Sequence, residues 1–123
     1  SLVSFTFMAR GMTTADIYSY SAEKTEAGTH LHLELNCGYN VIDVTVEEDV
    51  MGELGSIAAE HRLDLWDGFD KVSKRVSDGE GFTLSMTTED GRSIYANGSN
   101  KFPAGYSEAR MAIDELFQKY IQG

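Results

Sequence analysis

This chain has little basic charge and almost no cysteine, proline or tryptophan. Its one cysteine, Cys37, excludes an internal disulfide framework and any cysteine-built zinc site. Lys and Arg number 10 against 20 acids, a net charge of −10, and residues 43–80 alone hold 11 acids and 4 bases. Such a surface repels phosphate backbones and anionic lipid, because binding either requires cations that displace counterions. Nucleic acid is therefore not an expected partner, and the acids read first as a solubilising face. No apolar run approaches the ~20 residues of a transmembrane helix, so no transmembrane segment is expected in this chain. It opens Ser1-Leu2-Val3 with neither a methionine nor a signal-peptide pattern, which suits a trimmed or mature chain from which any targeting segment could have been removed.

What is present fits a folded globule. The 123 residues are 41% hydrophobic and 11% aromatic, enough for a single domain, 1–123, with one modest core. The first third alternates with period two. Val3, Phe5, Phe7 and Ala9 share one face, as do Leu31, Leu33, Leu35 and Cys37, the pattern of strands with one wet side. Between them "ADIYSYSAEK" reads as a further strand, and "YNVIDVTV" as a fourth. An even loop around Ala27-Gly28 pairs Leu33 with Ala22 and Leu35 with Tyr20, keeping apolar side chains on one face.

The period changes at "TVEE", a capping-box pattern with Thr45 as N-cap and Glu48 at the third helical position. Val50, Leu54, Ile57 and Ala58 then form an apolar helical stripe. Gly52 and Gly55 each weaken that helix by roughly 1 kcal/mol relative to alanine, a cost that close packing against the sheet would justify. Further on, "GFTLSMTTEDGRSIYANG" reads as a hairpin. A three-residue loop Glu89-Asp90-Gly91 pairs Met86 with Ile94 and Leu84 with Ala96, whereas a two-residue loop would set Ile94 against Thr87. Ser107 reads as the cap of a last helix whose apolar face is Ala109, Ala112, Ile113, Leu116, Phe117 and Tyr120. The expected fold is α+β: an antiparallel sheet of about six strands, in the order β-β-β-β-α-β-β-α, with two helices packed on one face.

Residues 62–106 carry "LWDGF", "DGEGFTLSM", "EDGRSIYANGSN" and "FPAGY". In these the chain resembles an uncharacterised domain that recurs in bacterial proteins, some of them predicted lipoproteins. That family has no established activity or catalytic residues to carry over. The resemblance implies a bacterial source and an extracytoplasmic or cell-envelope setting, with any lipidated cysteine upstream of Ser1. It also removes meaning from the glycosylation sequon Asn97-Gly98-Ser99.

Three groups of residues invite a chemical reading. His30, His32 and Glu34 alternate on one strand face, so two imidazoles and a carboxylate could meet a zinc ion and serve a metal-dependent hydrolase. Three alternating polar residues are also what any wet sheet face displays, and a cross-strand pair of His32 with Glu23 would account for them. The preferred reading therefore has no metal and no cofactor. Asp64, Asp67, Asp70 and Asp78 crowd one loop, but their spacing fits no EF-hand and suits turns. Trp66, Phe69, Phe102 and Tyr106, with Phe82, would form either an aromatic ligand pocket or the closed end of a small core; the second is preferred. Cys37, on the leucine face, is expected to be buried and inert. No nucleophile elbow or phosphate-cradling loop is present. Taken together, the sequence favours a non-enzymatic accessory or interaction domain whose polar sheet face, including Tyr95, Ser85, Thr87 and Ser93, meets a protein or glycan partner.

Overall fold

The N-terminal period-two stretch becomes the middle of a sheet. The computed structural model describes residues 1–74 and 79–121. Its elements are β1 (Leu2–Arg10), β2 (Tyr18–Thr25), β3 (Gly28–Leu35), β4 (Asn40–Val46), α1 (Val50–Glu60), β5 (Asp70–Val72), β6 (Gly81–Thr88), β7 (Ser93–Ser99) and α2 (Tyr106–Ile121). Short 3-10 turns occupy Thr14–Asp16 and Leu63–Trp66. The strands form one seven-stranded sheet in the order β4-β3-β2-β1-β6-β7-β5. The fold is α+β, but the sheet is mixed, not purely antiparallel. β5 is the extra strand, three exposed residues lying parallel to β7 with Lys71 opposite Gly98. Its three side chains are all exposed, so it leaves no hydrophobic pattern to read.

One face of the sheet is the core. Phe5, Phe7, Tyr20, Ala22, Leu31, Leu33, Phe82, Leu84, Met86 and Ala96 are buried there, with Val50 and Leu54 of α1 and Ile113 and Phe117 of α2. Phe117 stacks on Tyr20 at 4.5 Å and on Phe5 at 6.2 Å between ring centroids. Asp114 fastens the same helix to β2, its Oδ1 accepting from the hydroxyls of Tyr18 at 2.8 Å and Tyr20 at 3.0 Å. At the start of β1 the pattern slips: Leu2, not Val3, is buried, because the register with β6 shifts between Leu2 and Ser4. A bulge there inserts a residue and reverses the alternation.

The two hairpins test the register arguments. Met86 pairs with Ile94 and Leu84 with Ala96, and Gly91 takes φ +87°, as the three-residue loop requires. Between β2 and β3 the loop is even, as expected, but it is centred on Glu26-Ala27. Tyr20 therefore pairs with Leu33 and Ala22 with Leu31, two residues from the expected register, while every side chain stays on its expected face. His32 accordingly lies opposite Ser21, and His30 takes the place opposite Glu23.

Both helix starts differ from expectation. Thr45 remains in β4, paired with His30, and Asp49 caps α1 by accepting from the Gly52 amide at 3.0 Å. The ladder to β3 runs on to Val46 and holds the chain extended past Thr45. Gly52 does not pack on the sheet; a Cβ there would collide with the capping carboxylate of Asp49, and Gly55 has nothing near it. α2 begins at Tyr106, so Ser107 sits within its first turn. Gly105, at φ +78°, turns the chain early, and its carbonyl accepts from the Ala109 amide.

Candidate functional site

Among the described residues none covers the sheet face opposite the helices, and the pairings place its side chains in three rows. One row runs Asp43, His32, Ser21, Thr6, Ser85, Tyr95 from β4 to β7. Its neighbours are Thr45, His30, Glu23, Ser4, Thr87, Ser93 on one side, and Val41, Glu34, Ser19, Met8, Thr83, Asn97 on the other. Small hydroxyls dominate and bond to each other: Thr6 Oγ1 lies 3.3 Å from Ser21 Oγ, and Thr83 Oγ1 donates to Asn97 Oδ1 at 2.9 Å. Tyr95 and Met8 stand out from this flat surface, 53% and 42% exposed. The Tyr95, Ser85, Thr87 and Ser93 group named from the sequence lies together here.

The β3–β4 end of the face is charged. His30 Nε2 is 2.9 Å from Asp43 Oδ1, His32 Nδ1 is 2.7 Å from Asp43 Oδ2, and His32 Nε2 is 3.0 Å from Glu34 Oε2. A carboxylate at each nitrogen favours the doubly protonated form of His32. Its pKa is raised above 6.5, first by the hydrogen bond to Asp43 and then by that to Glu34. The Asp43 carboxyl is correspondingly lowered, first by His30 and then by His32. In that charged form His32 has no lone pair to offer a metal and cannot accept a proton from a nucleophile. The three residues singled out for zinc meet in a hydrogen-bonded ladder completed by Asp43. Among the described residues no three His, Cys, Asp or Glu converge in a metal-binding arrangement. Sequence reading missed Asp43 because its place opposite His32 comes only from the β3–β4 register.

The aromatic residues assemble elsewhere, at the end of the core. Trp66 is 3% exposed, edge-on to Phe82 at 5.8 Å and beside Tyr106 at 5.8 Å. Phe69 packs on Phe82 at 6.1 Å, and Phe102 stands 4.6 Å from Tyr106. Trp66 thus fills space, while Phe102, 38% exposed, and the half-buried Phe69 and Tyr106 reach the surface. The loop aspartates do not gather. Asp64 pairs with Arg62, Asp67 accepts from the Tyr95 amide at 3.0 Å, and Asp70 accepts from Asn97 Nδ2 at 3.5 Å; Asp78 lies outside the described residues. Cys37 corrects the expectation of burial. β3 ends at Leu35, and Asn36 and Cys37 turn through φ 52° and 56°, which leaves the thiol exposed. None of the described helices is long and apolar enough to cross a membrane.

No protein-family model matches the chain, and neither the curated proteins nor the solved structures contain a significant match to it.

Proposed function

We propose that this chain is a non-enzymatic interaction domain of a bacterial, envelope-associated protein, and that its open sheet face receives a protein partner. One observation carries the reading. On β1, β6 and β7 the outward residues of the three rows are Ser4, Thr6, Met8, Thr83, Ser85, Thr87, Ser93, Tyr95 and Asn97, and none is charged in a chain that is 24% charged. A solubilising face would carry the charge found elsewhere. Depletion of charge around exposed Tyr and Met is what the centre of a protein interface shows. The rows cross five inter-strand gaps of about 4.8 Å, about 24 Å, and five residues at about 3.4 Å, a projected area of about 400 Å² of which the uncharged β1, β6 and β7 form the centre and one side. The bacterial and envelope setting rests on the resemblance of residues 62–106.

Photo-crosslinking in the native host tests this. Benzoylphenylalanine in place of Tyr95 should give one discrete protein adduct, and the same probe at Met111, exposed on α2, should not. Thr6→Arg, which puts a cation on the face without touching the core, should abolish the adduct. Equal labelling from both probes, or none from Tyr95, would refute the reading. Binding to immobilised oligosaccharides that Thr6→Arg removes would transfer the face to a glycan partner.

A further inference from the structure

At the end of the sheet where β1 finishes and β6 begins lies a cleft of about 360 Å³, at the small end of the range for small-molecule sites. One wall is apolar: Phe102 and Tyr106, with Pro103 beside them. Two guanidiniums border it. Arg10 is fixed by bonds to the Gly98 carbonyl at 3.1 Å and Thr83 Oγ1 at 3.4 Å. Gly81 makes room for it, since a Cβ there would collide with that guanidinium. Arg110 reaches the cleft from α2, and the Tyr18 hydroxyl and Asp114 also act on its guanidinium. Among the described residues neither arginine has a carboxylate within 4.0 Å, although acids outnumber bases two to one in this chain. The acids of the cleft are Asp16, Glu80 and Glu108. Asp16 accepts from Thr13 Oγ1 at 2.9 Å, while no side-chain hydrogen bond or ion pair to a described residue holds Glu80 or Glu108. The Tyr106 hydroxyl stands among these charges: its pKa is pushed up to about 12, chiefly by burial, with Arg110, Asp114, Glu80 and Arg10 all acting on it.

We infer that this cleft binds a small zwitterion, a free α-amino acid with an apolar side chain. A plain anion would gain the arginines and meet the carboxylates; a plain cation would meet the reverse. A molecule with both charges a few atoms apart uses both sets: its carboxylate lies on Arg10 and Arg110, its ammonium on Glu80 and Glu108, and its side chain against Phe102 and Pro103. This site is separate from the open face and does not depend on the partner proposed there.

Calorimetric titration with L-phenylalanine and L-leucine tests it, with benzoate and phenethylamine as probes that each lack one charge. Saturable binding of an amino acid is expected, with both single-charge probes weaker by about tenfold or more, the cost of one unmade charged hydrogen bond. Arg110→Gln should weaken the amino acid and benzoate and spare phenethylamine. Glu108→Gln, on the exposed first turn of α2, should weaken the amino acid and phenethylamine and spare benzoate. Circular dichroism checks that each variant is folded, and either variant alone suffices. No saturable binding of either amino acid up to about 10 mM, benzoate binding as well as phenylalanine, or unchanged affinity in the folded variants would overturn the inference.

Discussion

Removing Trp66 should cost this domain a large share of its stability. The indole is 3% exposed and touches Phe82 and Tyr106, themselves packed against Phe7 and Phe102. A buried tryptophan hides about 200 Å², worth about 5 kcal/mol at about 25 cal/mol per Å². Alanine keeps the Cβ, and the unfolded chain already hides part of the area, so the expected loss for Trp66→Ala is about 3–5 kcal/mol. At about 4 °C per kcal/mol for a domain of this size, the midpoint of thermal unfolding should fall by about 12–20 °C. Far-UV circular dichroism against temperature and urea measures it, since the variant has no tryptophan to follow. In the parent protein the indole should emit at short wavelength and resist iodide quenching. Phe102→Ala, at the exposed end of the same cluster, should cost much less. An indole readily quenched by iodide, together with a Trp66→Ala midpoint within about 2 °C of the parent, would refute the clasp and return Trp66 to a binding role.

Gly91, at φ +87° with open space around its Cα, should be limited by backbone conformation alone. Gly91→Val should destabilise by roughly 1 kcal/mol or more and Gly91→Asn by less, because asparagine tolerates the left-handed region; equal midpoints in urea would count against the three-residue loop. The hydrogen-bonded ladder sets a pH window. His32 has a raised pKa when folded, so its stabilisation is complete below 6.5 and is lost as pH rises through the folded value. Asp43 has a lowered one, so its stabilisation is complete above 3.8 and is lost as pH falls through the folded value. A proton NMR titration should place the His32 midpoint above 6.5 and show it fall in Asp43→Asn; an unmoved midpoint would show that the ladder does not form in solution.

Most of the inward-facing side chains were legible in the sequence. Period two in β1, β2, β3, β6 and β7, and the 3.6-residue stripes of α1 and α2, put the right residues in the core, since burying apolar surface decides the face and the pattern is local. It also determined the β6–β7 register, where a three-residue loop was the one that kept Met86 and Ile94 together inside. Apolar pattern distinguishes registers that differ by one residue and says nothing about those that differ by two, which is why the β2–β3 pairing was misplaced while its faces were right. Tertiary structure alone decided the remainder. The bulge at the start of β1 buries Leu2 in place of Val3. The left-handed turn at Asn36 and Cys37 ends β3 and exposes a thiol that alternation placed inside. Parallel β5 is bound by backbone hydrogen bonds and by Asp70 with Asn97, neither of which leaves an apolar pattern. Asp43 reached His30 and His32, and Arg10, Glu80 and Arg110 reached one cleft, through pairings of residues far apart in the chain. Polar groups assembled across strands leave no periodic trace in any one strand, so the core was legible in the sequence and the surface sites were not.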